Sequence, residues 1–250
     1  MTSFQQNSSI KNFRKQNLQK FSVAIKTIRI YLKKRTLKHF KERMNQISQM
    51  KTPSLTLVIP FFNREQYLPF LFSTLLPQAE SFHEIIVVDD ASTDSSAEII
   101  RSFHRALPIE LLSLPEHSGP AEARNAGLAK ATGDYIAFLD SDDFTAPDLY
   151  AHLLKTAKQT SADLVQCGYY YFYEAEKSLI PRCSKWAKTD HATLRTFPEL
   201  LFLDNVIWNK IYRRSMLERY GIRFDSSMKM AEDLPFFFTT LMAAEKIVIT

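Results

Sequence analysis

Three aspartates stand within four positions of this sequence, in the stretch FLDSDDF at residues 138–144. Asp140, Asp142 and Asp143 follow directly on the apolar run YIAFL. Carboxylates packed this closely repel one another, so a metal ion, a capping role or plain solvation has to account for them. Their oxygen atoms suit Mg²⁺ or Mn²⁺, which carboxylates share with substrate phosphates. The stretch is therefore a candidate site for a divalent cation and a phosphate ligand.

Motifs that would indicate other chemistry are absent from the sequence. The chain has five glycines, and no two of them have the spacing of a dinucleotide fingerprint or a P-loop. It has no H-E-x-x-H, no C-x-x-C and no G-x-S-x-G, which leaves a zinc site or a serine nucleophile without support. A phosphate ligand would thus be held through a cation rather than in a glycine cradle.

The elements that must position these acids alternate between strands and helices after Pro53. The apolar runs SLTLVIP, EIIVVDD, IELLSL and YIAFL predict four strands, and the segments between them predict helices. Apolar strands separated by helices indicate an α/β fold with a mostly parallel, doubly wound sheet covered on both faces. Ligands of such sheets bind beyond the carboxyl ends of the strands, which here read PFFN, DD and DSDD. Farther on, ADLVQCGYYYFYE predicts one longer edge strand, and residues 174–196 predict irregular structure.

Charge divides the chain into two segments. Residues 1–52 hold 13 Lys or Arg and one acid, a net charge of +12, whereas residues 53–250 hold 19 basic and 26 acidic residues, a net charge of −7. Apolar residues in the first segment follow helical spacing at Leu18, Phe21, Ile25, Ile28 and Leu32. This predicts a basic amphipathic helical arm, with residues 11–43 on an anionic membrane surface. Docking on protein or a solvated tail are the alternatives, and no nucleic acid is expected.

The lack of targeting signals and the small number of cysteines indicate the same location for the protein. No apolar run reaches the roughly 18–20 residues of a membrane span, and Lys and Arg interrupt the pattern of a signal peptide. Two cysteines, Cys167 and Cys183, are too few for a disulfide framework. We therefore expect a cytoplasmic protein that the arm would hold on the inner face of the cell membrane.

Four longer motifs occur in order after Ser54. They are LVIPFFNREQYLPFLFSTLLPQ, EIIVVDDASTDSSAEII, HSGPAEARNAGLAKATGDYIAFLDSDD and AEDLPFF. Together they resemble the family 2 glycosyltransferases of bacterial surface-polysaccharide synthesis, and the resemblance covers residues 54–245. It implies the GT-A fold, with a nucleotide-binding half at residues 53–144 and an acceptor half at residues 145–250.

The resemblance implies a metal-dependent, inverting transfer of a hexosyl or N-acetylhexosaminyl group from a UDP-sugar to a glycan or lipid-linked acceptor. Asp142 would ligate the Mn²⁺ or Mg²⁺ that bridges the diphosphate, and Asp140 would contact the ribose or assist the metal. Asp143 would lie behind them or cap the next turn. The aspartate of the family's acidic motif is the general base, so Asp233 would take the proton of the acceptor hydroxyl. A helix N-cap is the alternative role for Asp233.

Nucleotide contacts are implied at the ends of the first two strands. Pro60, Phe62 and Asn63 match the family's proline–aromatic–asparagine turn, and Asp90 would accept a hydrogen bond from the N3–H of uracil. The remaining candidates for phosphate or acceptor contacts are Arg124, Trp208, Lys210 and Glu232. Arg124 would pair with an acid or a phosphate, or else lie on the surface. Trp208 would stack on an acceptor sugar, or else pack in the core.

Departures from the family pattern leave other functions open. His117 stands where the family usually has Asn, Ala231 stands where it usually has Gly, and the sequence stops at EKIVIT, inside an expected strand. The last point leaves open whether the acceptor side is truncated, and so whether the chain only binds sugar nucleotides or membranes. A phosphoaspartate hydrolase also places acids at strand ends, but it needs D-x-D-x-T/V at the first strand, where this chain has PFFN.

Overall fold

The computed structural model describes residues 51–173, 175, 177–182, 189–193, 200 and 205–250. The predicted basic arm lies outside the described residues except for its last two positions. None of the helices among the described residues combines the length and hydropathy needed to cross a bilayer.

Strands and helices alternate along the first half of the described chain, as the sequence predicts. The strands are β1 Leu55–Phe61, β2 Glu84–Asp89, β3 Ile109–Ser113, β4 Tyr135–Phe138, β5 Leu164–Gln166, β6 Tyr169–Tyr173, β7 Ser178–Arg182, β8 Thr189–Ala192, β9 Lys210–Arg213 and β10 Ile247–Ile249. The helices are α1 Leu68–Leu75, α2 Ser96–Ser102, α3 Pro120–Lys130, α4 Leu149–Thr160, α5 Arg214–Arg219 and α6 Asp233–Ala243.

One sheet carries most of these strands, in the order β3-β2-β1-β4-β9-β5-β10-β8. The pairs β3–β2, β2–β1, β1–β4 and β5–β10 are parallel, whereas β9 and β8 run antiparallel to their neighbours. The predicted mostly parallel sheet is thus confirmed. The antiparallel strand β9 was not predicted, because it has four residues and carries Lys210 and Arg213 at its ends, which hides the apolar signal of a buried strand.

The prediction of a single edge strand over ADLVQCGYYYFYE is wrong. The segment divides at Cys167-Gly168 into β5, which is buried inside the large sheet, and β6, which leaves it. β6 pairs with β7 in a separate antiparallel ribbon that exposes several aromatic side chains. The described part of residues 174–196 therefore contains strands β7 and β8 rather than only irregular chain.

Both faces of the large sheet are covered, as expected of a doubly wound fold. Helices α3, α5 and α6 pack on one face with side chains such as Val58 and Phe138, and α1, α2 and α4 pack on the other with side chains such as Leu57. The contact between α3 and β1 is close, because a Cβ atom added to Gly127 would lie 2.4 Å from a methyl carbon of Val58. This contact holds α3 at a fixed depth on the sheet.

The sheet has a topological switch point between β1 and β4. From β1 the chain adds β2 and β3 on one side and β4 on the other, so the loops after β1 and β4 diverge and open a crevice. Pro60 lies in β1 beside this crevice. Its nitrogen faces the β4 side, as Val58 does, and β4 has already ended at Phe138. The missing N–H of Pro60 therefore costs the sheet no hydrogen bond.

Candidate functional site

The carboxyl edge of the sheet gathers most of the predicted site residues through a chain of contacts. The loop after β1 contacts the loops after β2 and β4, and the loop after β4 is joined to the start of α6. The predicted residues gathered there are Phe62, Asn63, Asp90, Arg124, Asp140, Asp142, Glu232 and Asp233. Pro60 is buried within β1 and shapes the strand end from which this edge begins.

Arg124 joins the two acidic segments of this edge. One guanidinium nitrogen lies 2.7 Å from Asp140 Oδ1 and another lies 2.6 Å from Glu232 Oε1, and the side chain is only 7% exposed. Burial opposes the charge of Arg124, but the charges and hydrogen bonds of the two acids outweigh it and raise its pKa. The guanidinium also lies over the Phe224 ring, 5.4 Å from its centroid. Arg124 is therefore paired with acids rather than lying free on the surface, and its contact with a phosphate stays a prediction.

Helix α3 places Arg124 at that point. Gly119 has φ of 91°, which a residue with a side chain rarely adopts, and Pro120 follows it in the first turn of the helix. Arg124 then comes one turn into α3, on the face that packs on the sheet. Its neighbour Asn125 exchanges two hydrogen bonds with the backbone of Phe224, which fixes the approach to α6.

The DSDD turn after β4 holds its acids in different environments. Asp142 is 52% exposed and lies 4.0 Å from Arg64 across the crevice, at the limit of an ion pair. Asp140 is partly covered through its bond to Arg124. Asp143 is more deeply placed, and burial together with the charges of Asp140 and Asp142 raises its pKa to about 7. The turn therefore presents one accessible carboxylate, Asp142, in a field of negative charge.

A hard divalent cation fits this donor set. The available ligands are carboxylate oxygens, which Mg²⁺ and Mn²⁺ prefer, and Asp142 is open toward the crevice. Among the described residues, no three His, Cys, Asp or Glu side chains are clustered as a ready-made metal site. An ion here would thus be held by one or two carboxylates together with ligand phosphates, which is the usual way proteins bind Mg²⁺ beside a nucleotide.

The loops after β1 and β2 are tied together by short polar links. Asn63 has φ of 51°, in the left-handed region that Asn tolerates better than most residues. Its side-chain oxygen accepts a hydrogen bond from Thr93 N at 2.8 Å, and its own N–H donates to Ser92 Oγ. Asp89 accepts a hydrogen bond from Ser92 N and so orients the turn after β2. These links fix the backbone on which Phe62 is presented.

Asp90 is nearly buried at the end of β2, at 3% exposure. Its carboxylate accepts hydrogen bonds from Ser118 N at 2.7 Å and Gly119 N at 2.8 Å, and His117 Nδ1 lies 2.8 Å from it. His117 also stacks on Phe62, with ring centroids 4.0 Å apart. Asp90 therefore binds the loop before α3.

Asp233 is the first residue of α6, beside the glutamate that Arg124 holds. Burial, and then the charge of Glu232, raises the pKa of Asp233. No side-chain capping bond forms at the residue before the helix, Glu232. Ala231 has φ of 58°, in the region where glycine is unstrained and other residues are not. The half-buried carboxylate of Asp233 is thus a candidate base.

Lys210 is the predicted site residue that the structure places elsewhere. It is fully buried, with its ammonium bonded to Val206 O and Asn209 Oδ1 and lying over the Phe237 ring. The predicted phosphate contact is therefore wrong, because this ammonium serves the interior at the start of β9. Trp208 is half-buried and packs edge-on against Tyr169, with ring centroids 4.7 Å apart.

Sequence reasoning missed Arg64 as a residue of this edge. Its side chain is 40% exposed and its guanidinium faces Asp142. One guanidinium nitrogen, Nε, is buried without a hydrogen-bond partner among the described residues. The signal available in the sequence was its position directly after Asn63 in the strand-ending turn. The positive charge of Arg64 at this place would attract an anionic ligand in the crevice.

Comparisons with known proteins agree with this geometry. A sequence model described as Glycosyl transferase family 2 matches residues 56–221. The "Uncharacterized glycosyltransferase EpsJ" of Bacillus subtilis (strain 168) is 30% identical over 202 residues, or 78% of this chain and 58% of that protein. Crystal structures of S. aureus TarS 1–349 with UDP and with UDP-GlcNAc are similar to this chain at 25% identity, with TM-scores of 0.70 and 0.69 over 79% of this chain.

These matches cover only part of each relative. The chain covers 58% of the length of EpsJ and 57% and 56% of the two TarS chains. It therefore spans less than two thirds of each of these relatives.

Proposed function

Because this chain belongs to glycosyl transferase family 2, we propose that it transfers a sugar from a UDP-sugar to a glycan or lipid-linked acceptor in the synthesis of a cell-surface polysaccharide. The family and the GT-A fold predicted from the four motifs are both confirmed. The observation that carries the proposed activity is the Arg124 bridge, because it joins the donor-side acid Asp140 to the acidic pair at α6. TarS was crystallised with UDP and UDP-GlcNAc, which supports a UDP-sugar donor.

The donor would lie along the carboxyl edge of the sheet. Phe62, Asn63 and Asp90 would hold the nucleoside at the ends of β1 and β2, and Asp140 would contact the ribose. Asp142 would hold a Mn²⁺ or Mg²⁺ ion against the diphosphate, where such an ion stabilises the charge of the departing nucleotide. Arg64, which faces Asp142 at 4.0 Å, supplies a second positive charge near the same place.

Asp233 would act on the acceptor. Its carboxylate takes the proton from the acceptor hydroxyl while that oxygen bonds to the anomeric carbon and the bond from that carbon to the diphosphate breaks. The raised pKa of Asp233 makes it a stronger base than an ordinary carboxylate. A single displacement of this kind inverts the anomeric configuration. Trp208, which is only half-buried, would stack on a sugar of the acceptor.

A panel of nucleotide sugars tests the proposal. The full chain is incubated with each donor, Mn²⁺ or Mg²⁺, and a mixture of oligosaccharides and bacterial lipid extract, and release of the nucleoside diphosphate is measured. We expect UDP release from one UDP-sugar, lost in Asp142→Asn and kept in the exposed control Asp225→Asn. Donor binding by calorimetry without any release would instead favour a sugar-nucleotide-binding module that does not catalyse transfer.

The basic arm, residues 1–52, would hold the enzyme at a membrane that carries a lipid-linked acceptor. Its net charge of +12 and the stripe from Leu18 to Leu32 support reversible binding to anionic lipid, at about 1 kcal/mol per basic residue near the surface. The test is sedimentation of the full chain with phosphatidylglycerol vesicles at low and high salt, since salt screens such contacts. We expect binding that is lost when Lys20, Lys26 and Lys33 are changed to Glu.

A matched variant controls for net charge. Changing Lys130, Lys155 and Lys229, which lie outside the arm and are exposed, to Glu removes the same charge. If both triple variants bind vesicles equally, the arm does not direct the protein to the membrane.

A further inference from the structure

The side chain of His117 occupies a well-defined place at the end of β2. Its imidazole stacks on Phe62 with ring centroids 4.0 Å apart and an interplanar angle of 28°. Its Nδ1 atom lies 2.8 Å from Asp90 Oδ2. An ionised carboxylate only accepts hydrogen bonds, so Nδ1 must carry a proton and donate it. The imidazole is thus a flat ring fixed on one face by an aromatic side chain and at one edge by a carboxylate.

These two contacts are the ones that a uracil base would need. Uracil is a flat ring that stacks on an aromatic side chain, and its N3–H donates a hydrogen bond in the plane of the ring to an acceptor such as a carboxylate. In this protein Phe62 and Asp90 are the residues proposed to make those contacts, and His117 already fills both. The backbone N–H groups of Ser118 and Gly119 take two more of the acceptor positions of Asp90, so little of this carboxylate is left for a second ring.

We propose that the His117 side chain occupies the nucleobase position of the donor site and is displaced when a nucleotide binds. The inference rests on the proposed use of a nucleoside diphosphate sugar. The imidazole must swing away before a base stacks on Phe62, so the measured affinity is the intrinsic affinity reduced by the fraction of molecules in which the position is open. With a side chain that is 55% exposed, His117 has solvent into which it can move.

The proposal predicts that removal of the His117 side chain strengthens nucleotide binding. A residue that only held the base would, when removed, weaken nucleotide binding. His117→Ala should instead bind UDP about tenfold more tightly, as expected if the position is open in about one molecule in ten. His117→Asn, which restores the residue usual in the family, keeps a donor for Asp90 but has no ring to stack on Phe62, so it should show a smaller gain.

Calorimetry on the full chain tests this with UDP and, as a probe without a base, inorganic pyrophosphate, both with Mn²⁺. We expect tighter UDP binding in His117→Ala and unchanged pyrophosphate binding, because only the base competes with the imidazole. His83→Ala is the matched control, since His83 is an exposed histidine at the opposite end of β2. A thermal melt checks that each variant is folded.

The remaining outcomes separate this inference from the proposed function. If the unaltered chain binds no nucleoside diphosphate with Mn²⁺ or Mg²⁺, the proposed function fails. If it binds UDP but His117→Ala binds equally or more weakly, the proposed function stands and the role of His117 is overturned. Equal tightening for UDP and pyrophosphate would also overturn it, because a competition for the base position leaves pyrophosphate untouched.

Discussion

The two ends of the carboxyl edge are held together by different means. At one end, called the nucleobase end because we propose that the base binds there, the loops after β1, β2 and β3 are joined by several short hydrogen bonds. These bonds involve Asn63, Asp89 and Asp90. At the acidic end, the DSDD turn and the start of α6 are joined through one buried guanidinium, that of Arg124. The first arrangement is redundant, whereas among the described residues the ionic link between the two acidic segments runs through one side chain. Loss of one side chain should therefore cost little at the first end and much at the second.

The largest effect is expected at Asp233, the proposed general base at the acidic end. Asp233→Asn keeps the shape of the side chain and removes the proton acceptor, so transfer should fall by about 10²–10⁴-fold, the usual contribution of a general base. Binding of UDP with Mn²⁺ should remain near that of the unaltered chain. Both are measured on the full chain, by product formation and by calorimetry.

The alternative role of Asp233 predicts a different result. If this residue only begins α6, Asp233→Asn would lower the free energy of unfolding and leave the rate per folded molecule unchanged. Asp225→Asn, at an exposed acid in the loop before α6, serves as the control for a charge change alone.

Arg124→Met tests directly whether one residue holds the acidic end. Removing one partner of a buried ion pair leaves the other charges uncompensated, which costs about 3–5 kcal/mol. Because Asp140 is 32% exposed and can be partly hydrated, we expect the lower end of that range, about 3 kcal/mol, in the free energy of unfolding from urea titration. Arg124→Lys should recover only part of it, since one ammonium lacks the fork that reaches both acids.

The matched control for Arg124 is a surface pair on α2. Arg101 and Glu98 are 58% and 70% exposed at a separation of 3.3 Å, so Arg101→Met should change stability by less than about 0.5 kcal/mol. If Arg124→Met proves as mild as Arg101→Met, the two segments of the acidic end are held by packing and not by the guanidinium.

The sequence predicts the nucleobase end better than the acidic end for a physical reason. Strands β1 and β2 are continuous apolar runs, and their last residues fall on one edge of a parallel sheet by topology alone. The bridge from Arg124 to Asp140 and Glu232 joins residues 16 and 108 positions apart, and no local pattern encodes such a contact. Lys210 was assigned to the site from its place in a motif. The sequence gives no sign that its ammonium is hydrogen-bonded inside the core.

Asn63 provides the test at the redundant end. Asn63→Gly removes the hydrogen bond from Thr93 N to the side chain but keeps the left-handed backbone unstrained, which should cost about 1 kcal/mol. Asn63→Ala removes the same bond and adds the strain of a Cβ atom at φ of 51°, about 1 kcal/mol more. Urea titrations of the two variants should therefore differ by about that amount. Equal losses would mean that the turn relaxes out of the left-handed region.

The smallest effect is expected where each end carries an alanine in the left-handed region. Ala231, before the acidic pair, has φ of 58°, and Ala91, directly after Asp90, has φ of 62°. An alanine there is strained by about 1–2 kcal/mol, whereas glycine is unstrained but loses about 0.5–1 kcal/mol of chain entropy on folding. Ala231→Gly and Ala91→Gly should each stabilise the protein by less than about 1 kcal/mol, a rise of about 1–3 °C in Tm. Ala231 is exposed, so no packing is lost with its methyl group. A gain at residue 91 with a loss at residue 231 would show that α6 begins differently in solution.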